Sequence, residues 1–183
     1  GGSLRNAIPR EASAVVVAPK GSSEALKQFV MGFFDITSAE LSISEPDYKM
    51  TVEPATMPSF VIDADTANRA IKAIYGCPNG VIRMSDAMPG LVETSSNLAI
   101  VSSENDKITI NCLLRSSVNS AKDDLCDMMT SVFALAGAQI EFEGGYPGWK
   151  PNPDSAILAL AKKVYQDKFG KIPEVKAIHA GLE

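Results

Sequence analysis

The stretch LVETSSNLAIVSSENDKITINCLL, residues 91–114, decides the fold class. Residues 91–103 and 107–114 are rich in β-branched and aliphatic side chains, and the polar run 104–106 separates them. This pattern predicts two strands joined by a hairpin loop, which makes them antiparallel neighbours. Residues 81–84 predict a further short strand just before the hairpin.

Apolar residues at helical spacing flank the hairpin on both sides. One helix is predicted between Asp63 and Gly76, and another after Ser120, with Gly137 just beyond its end. The side chains expected to face inward are Ala67, Ala70, Ile71 and Ile74 in the first, and Leu125, Met128, Met129, Val132 and Ala136 in the second. Another helix is predicted from Ser22 or Ser23, with a stripe formed by Leu26, Phe29, Val30 and Phe33.

Four further segments are also predicted as strands from their β-rich or alternating composition. They are residues 8–17, 48–52, 139–142 and 175–178. With the hairpin and the helices, they indicate an α+β fold with a largely antiparallel sheet and helices on one face.

The sharpest change in composition lies at residues 144–153, where seven of ten residues are Gly, Pro or Asn. Such a run cannot form the interior of a helix or of a central strand, so we interpret it as a domain crossing. Residues 1–144 are then one domain, and 147–183 are a helix and a strand of another. Asn152 is predicted to cap that helix, with Pro153 at its first position and Gly170 at its end; its stripe is Ile157, Leu160, Ala161 and Val164.

Composition disfavours several classes of function. The net charge is −5, with 17 basic residues scattered among 22 acidic ones, which disfavours nucleic-acid binding. No apolar run approaches the roughly 18 residues of a membrane span, and no signal peptide is predicted. The three cysteines form no Cys-x-x-Cys pair, so we interpret them as buried, reduced thiols of a cytoplasmic protein.

The residues alone predict no complete active site. The only histidine is His179, and a catalytic zinc site needs three protein ligands and a water. His179 and Glu183 would lie on one face of a strand, but about 13 Å apart. A structural histidine is therefore favoured over a metal ligand. Nucleotide-binding motifs are absent from the sequence as well.

Several ordered motifs nevertheless make the chain resemble the bacterial aminoacyl-histidine dipeptidases. The resemblance runs almost from end to end and is weakest across residues 22–58. The motifs are LRNAIPREA at 4–12, PNGVIR at 78–83, VETS at 92–95 followed by Asn97, LRSS at 114–117, AGA at 136–138, YPGW at 146–149 and IHAGLE at 178–183.

The resemblance implies a cytoplasmic, zinc-dependent enzyme that hydrolyses Xaa-His dipeptides such as carnosine. In that family a catalytic domain holds two zinc ions, and an inserted ferredoxin-like lid domain takes part in homodimerisation and substrate capture. By resemblance, residues 1–144 are the lid, incomplete at its N-terminal side, and 147–183 return to the catalytic domain. None of the family's metal-ligand motifs maps onto this sequence, so the chain by itself is expected to be inactive.

The resemblance also assigns three substrate-binding residues. Asn6 matches an amide that polarises the scissile carbonyl or its oxyanion, and Arg115 matches a group that holds the substrate's C-terminal carboxylate. Gly181 matches a loop glycine whose backbone approaches the ligand. Without the motifs, Asn6 would be interpreted as a turn residue and Arg115 as a surface charge at a strand edge. Asn97 is a weaker candidate, more simply a structural residue.

A second hypothesis is a module without catalytic activity that self-associates or binds a small molecule. It needs only the α+β body, whereas the dipeptidase hypothesis needs zinc ligands elsewhere in a longer protein. The zinc content of the full-length protein separates the two hypotheses.

Overall fold

The computed structural model describes residues 1–104 and 106–180. They form two compact units, the first made of residues 1–12 with those from 64 onward, and the second of residues 13–63. The helices and strands are α1 (Ser23–Glu40), α2 (Ala64–Gly76), β1 (Gly80–Met84), β2 (Val92–Glu104), β3 (Lys107–Ser116), α3 (Asn119–Leu135) and α4 (Ala156–Phe169).

The sheet of the first unit has three antiparallel strands in the order β1-β2-β3. The β2–β3 hairpin pairs Glu104 with Lys107 at its tip and Thr94 with Ser116 at its base. A shift in register between Leu98 and Ile100 interrupts the ladder once. The predicted strands at 81–84, 91–103 and 107–114 are confirmed, because alternating residues and a short polar loop specify a hairpin locally.

Helices α2 and α3 pack on one face of this sheet. The buried cluster consists of Ala73 and Cys77 from α2 and its C-terminal flank, and Leu125, Met129 and Phe133 from α3. Leu98, Ile110, Cys112 and Leu114 of the sheet pack against this cluster. The α+β prediction, with an antiparallel sheet and helices on one face, is therefore confirmed.

The predicted stripes of α1, α2 and α3 are correct in position but wrong at four residues. All four residues of the predicted α4 stripe are exposed, namely Ile157, Leu160, Ala161 and Val164. In the first unit, Ile71 is 66% exposed and Met128 is 38% exposed, whereas Ala73 and Phe133 are buried. In the second unit, Phe29 and Phe33 of α1 are exposed, whereas Val30 is half-buried as predicted and Phe34 is half-buried as well. Helical spacing of apolar residues predicts a helix, but it does not show which side of the helix contacts a neighbouring element. The buried side of each helix therefore differs from the predicted one at these residues.

Within the second unit, the segment after α1 returns to that helix. Phe34 and Tyr48 stack with ring centroids 5.6 Å apart, and the Tyr48 hydroxyl accepts a hydrogen bond from Thr37 Oγ1 at 3.4 Å. Burial alternates along 48–52 as a strand predicts, with Tyr48, Met50 and Val52 half-buried. The predicted strand is nevertheless wrong, because this backbone pairs with no neighbouring strand in the part of the chain described.

The strands predicted at 8–17, 139–142 and 175–178 are also wrong, since these residues have no regular structure. Residues 8–17 are exposed along their whole length, while Ile140 packs against the buried cluster without joining the sheet. A strand forms only where its backbone N–H and C=O groups hydrogen-bond to a neighbouring strand. A β-rich composition does not supply that neighbour.

Helix α4 begins three residues later than the predicted start at Pro153. Ser155 is its N-cap residue, and Asn152 instead accepts a hydrogen bond from the Asp154 backbone N–H at 3.0 Å, which forms a turn before the helix. Gly170 ends the helix as predicted, in the left-handed conformation at φ 71°.

Residues 144–153 have neither helix nor strand, as their composition predicts. The division into domains at residues 144 and 147 stays a prediction.

All three cysteines are free, with Cys77 buried and Cys112 and Cys126 half-buried. None of the helices formed by residues 1–104 and 106–180 combines the length and the apolar character needed to cross a membrane.

Candidate substrate-binding face

The face of the sheet opposite α2 and α3 carries Ser95, Asn97 and Arg115, and we call it the outer face. Ser95 pairs with Arg115 across the β2–β3 ladder, and Asn97 lies two residues further along β2. Because side chains alternate between the faces of a strand, these three project to the same side. Their neighbours Leu98, Cys112 and Leu114 pack towards the helices instead.

Asn97 anchors the turn that carries Asn6 to this face. Its side-chain N–H₂ group donates to the carbonyl of Arg5 at 3.0 Å and to that of Ala7 at 2.8 Å. Both acceptors are carbonyl oxygens, which fixes the orientation of the amide. Asn6 is the residue between the two anchored carbonyls, and it is exposed. The interpretation of Asn97 as a structural residue therefore agrees with its contacts, and the structure brings Asn6 to the same face as Arg115.

The chain before this turn lies along β2. Val101 donates its backbone N–H to the Gly1 carbonyl at 2.9 Å and accepts from the Gly1 amino group at 2.6 Å. Gly2 has φ 80°, and a Cβ there would collide with the Ala99 carbonyl oxygen. Only glycine allows this close approach, so Gly2 helps to hold the segment before the Asn6 turn in place.

Arg115 and His179 meet at the other end of the outer face. Nη1 of Arg115 donates to the His179 carbonyl at 3.0 Å, and Nε2 of His179 is hydrogen-bonded to Oγ of Ser95 at 2.8 Å. Burial and then the positive charge of Arg115 lower the pKa of His179, against the opposite effect of a hydrogen bond with the Val92 backbone. The imidazole is therefore neutral at neutral pH. Its contacts join it to β2 through Ser95 and to β3 through Arg115, and its interpretation as a structural residue stays a prediction.

One charged residue of this region was missed by sequence reasoning. Glu93 is 3% exposed, and its Oε1 lies 3.2 Å from Nε of Arg83, which is half-exposed on β1. Strand alternation places Glu93 on the same side as Ser95. A buried carboxylate needs a partner, and Arg83 supplies one to Glu93 beside the outer face. The sequence signal was a glutamate near the start of a strand whose other charged residue, Glu104, lies at its far end.

Gly181, the third predicted site residue, lies outside the described residues, as does Glu183. The role assigned to Gly181 therefore stays a prediction. Within residues 1–104 and 106–180, no three His, Cys, Asp or Glu side chains are grouped so that they could hold a metal ion. The guanidinium, amide and hydroxyl groups of the outer face suit a polar organic ligand.

Two known proteins are similar to this chain over its whole length. The chain is 38% identical over 183 residues to the cytosol non-specific dipeptidase of Escherichia coli (strain K12), of which it covers 38%. It also matches the crystal structure of the aminoacylhistidine dipeptidase from Vibrio alginolyticus with a TM-score of 0.95 and 42% identity, covering 37% of that chain. No protein-family model matches.

The chain thus spans less than two-fifths of the length of each of these proteins. Its three-stranded sheet, its helices and its outer face all lie within the matched region, because that region is the entire chain. Both matches agree with the resemblance carried by the ordered motifs. Over its whole length, therefore, this chain is a homologue of part of the dipeptidases represented by these two proteins.

Proposed function

We propose that this chain is the lid and substrate-binding part of a zinc-dependent dipeptidase that hydrolyses Xaa-His dipeptides such as carnosine. The observation that carries the proposal is the outer face, where the anchored Asn6 turn and the Arg115 guanidinium lie on the same side of one sheet. The full-length similarity to two proteins named as dipeptidases supports the class of reaction.

Arg115 is proposed to bind the substrate's C-terminal carboxylate. A guanidinium presents five N–H donors in a planar fork that matches a carboxylate. The bond of Nη1 to the His179 carbonyl uses one donor and fixes the direction of the side chain.

Asn6 is proposed to stabilise the oxyanion that forms when water attacks the scissile carbonyl. An amide N–H₂ group is effective in this role only when it is held in position before the reaction. The two hydrogen bonds from Asn97 hold the backbone on both sides of Asn6. Asn97 is therefore a positioning residue. Gly181 is proposed to line the same site with its backbone.

The two zinc ions are proposed to be held by residues outside this chain. The described residues include no cluster of three His, Cys, Asp or Glu side chains that could hold a metal ion, and the outer face is proposed to contribute binding and orientation. The chain on its own is then proposed to be inactive. When bound, zinc supplies an activated water and polarises the carbonyl.

The first test is the activity of the full-length protein. We expect it to cleave β-alanyl-histidine, and we expect a chelator to abolish cleavage until zinc is restored. The two relatives are named for non-specific and for aminoacylhistidine cleavage, so a matched dipeptide without histidine measures the breadth of specificity. No cleavage of any dipeptide by the zinc-loaded protein would contradict the proposal.

The second test is Arg115→Ala in the full-length enzyme. We expect KM for free dipeptides to rise about 10- to 100-fold, because one charge-assisted contact is worth about 1.5–3 kcal/mol, while kcat changes little. Arg115→Lys should recover part of the loss. Lys107→Ala removes a positive charge from the other end of β3, about 26 Å away along the strand, and is the matched control. An unchanged KM in Arg115→Ala, or an equal rise in the control, would contradict the role.

We also propose that the enzyme is a cytoplasmic homodimer that associates through the lid. Helix α1 has exposed apolar side chains, which include Phe29, Phe33 and Ile36. Their exposure supports the proposal that this surface is covered in the assembled protein. The relative named for the cytosol supports the compartment. Sedimentation equilibrium of the full-length protein measures the assembly, and a monomer would contradict this part of the proposal.

A further inference from the structure

Two cysteines that are 35 residues apart in sequence meet on the helix side of the sheet. Cys77 follows the last residue of α2, and Cys112 lies in the middle of β3. Their Sγ atoms are 3.8 Å apart, and both residues belong to or pack against the buried cluster. The third cysteine, Cys126, lies on α3. The fold therefore creates a dithiol pair that the spacing of the cysteines does not indicate.

We propose that Cys77 and Cys112 form a reversible disulfide, a modification site for which a small hydroperoxide is the oxidant. A disulfide bond is about 2.05 Å long, so the sulfur atoms must approach by about 1.8 Å from their present 3.8 Å. Rotation about the Cα–Cβ bonds moves a sulfur atom by this amount. The neighbour of Cys77 is Met129, whose Sδ lies 3.7 Å from Cys77 Sγ, and a flexible thioether adapts to such a shift.

The two thiols are electronically distinct, as an attacking and a resolving cysteine require. The hydrogen bond from Cys112 lowers the pKa of the Cys77 thiol, against the opposing effect of burial. The same hydrogen bond, followed by burial and by the charge on Cys77, raises the pKa of Cys112. Within this proposal Cys77 is the attacking cysteine, because its pKa is the one that is lowered and the thiolate is the nucleophile in cysteine chemistry.

The reaction balances with hydrogen peroxide as the only oxidant. The Cys77 thiolate attacks one peroxide oxygen, the O–O bond breaks, and Cys77 becomes a sulfenic acid as hydroxide leaves. The Cys112 thiol then attacks the Cys77 sulfur. An S–S bond forms, the S–O bond breaks, and the thiol proton leaves with the hydroxyl group as water. The released hydroxide takes up the proton that Cys77 lost as it became a thiolate, which gives a second water. Two thiols are thus oxidised to one disulfide, and one peroxide is reduced to two water molecules.

The burial of the pair selects the oxidant. Cys77 is 7% exposed, and Cys112 is half-buried, so a hydroperoxide of a few atoms reaches them more readily than a bulky disulfide reagent. Cys126 is a built-in comparison, because burial and then the negative charge of Asp123 raise the pKa of its thiol. We expect it to react more slowly than Cys77, because a smaller share of its thiol is ionised.

The test treats the full-length protein with hydrogen peroxide, alkylates the remaining thiols and maps the digested peptides by mass spectrometry. We expect a peptide that links Cys77 to Cys112, lighter by two hydrogen atoms than the two reduced peptides and lost on reduction with dithiothreitol. The linked peptide should persist in Cys126→Ser. In Cys112→Ala, Cys77 should stop at the sulfenic acid and be trapped by dimedone.

The side chain of Met57 is 74% exposed and serves as an internal measure of peroxide exposure through its conversion to the sulfoxide. If Met57 is oxidised while Cys77 and Cys112 are both alkylated as free thiols, the proposal is overturned. A disulfide that joins either of them to Cys126 overturns it as well. The wild-type protein supplies this result, so the test does not depend on a core variant that folds. It is also independent of dipeptidase activity.

Discussion

Replacing Leu125 by alanine is expected to lower the unfolding free energy of the sheet unit by about 2–5 kcal/mol. Leu125 is 1% exposed and lies at the centre of the cluster formed by α2, α3 and the sheet. Its removal takes away apolar contacts and leaves a cavity between two layers that cannot fully collapse, because the sheet side is held by its ladder.

Native-state hydrogen exchange of the α3, β2 and β3 amides in the full-length protein measures this effect, since it reports the stability of one unit in a larger protein. The matched control is Leu135→Ala, the same substitution at the end of the same helix, where the side chain is 89% exposed. We expect the control to change the free energy by less than about 0.5 kcal/mol. Equal losses in the two variants would show that the cluster is not the core of this unit.

Replacing Asn6 by alanine is expected to lower kcat of the full-length enzyme by about 10²- to 10³-fold, with KM little changed. The proposed role of the amide is to stabilise charge that develops in the transition state, so its loss affects kcat rather than substrate binding. The backbone on both sides stays anchored, because Asn97 bonds to the Arg5 and Ala7 carbonyls rather than to the Asn6 side chain.

The matched control for Asn6 is Arg5→Ala in the same turn. Arg5 makes an ion pair with Glu143 at 3.1 Å, with both side chains largely exposed, and such pairs contribute at most about 1 kcal/mol. We expect kcat of this variant to stay within about 2-fold of wild type. If Arg5→Ala lowers kcat as much as Asn6→Ala does, the turn rather than the amide is responsible. If Asn6→Ala keeps full kcat, the assigned role is wrong.

Local sequence features were sufficient for the hairpin and for the helices that pack on it. The polar residues 104–106 and the helical spacing of apolar residues around Leu125 are local features of the sequence. They therefore predict the hairpin and the helix without knowledge of tertiary contacts. The predictions for residues 8–17 and 175–178 failed because a strand depends on a partner that composition does not identify. Likewise, Ile71 fits a helical stripe, but only the neighbouring elements decide which side of α2 is buried.

The ordered motifs are sufficient to single out Asn6 and Arg115 as candidate site residues, and Gly181 stays a prediction. Asn97 is interpreted from its sequence context as a structural residue. In the structure its side chain holds the carbonyls of Arg5 and Ala7 on both sides of Asn6. The pairs Glu93–Arg83 and Ser95–His179 could not be foreseen, since each joins side chains whose proximity depends on strand register or on a long connection.

By itself, the sequence determined the hairpin, the flanking helices, the irregular segment at 144–153 and the relationship to dipeptidases, because these rest on local spacing and on ordered motifs. Only the tertiary structure decided that the Asn6 turn and Arg115 share one face of the sheet, and that Cys77 and Cys112 meet on the other. The physical reason is that strand pairing and helix packing set distances between residues far apart in the chain, and no local pattern specifies those distances.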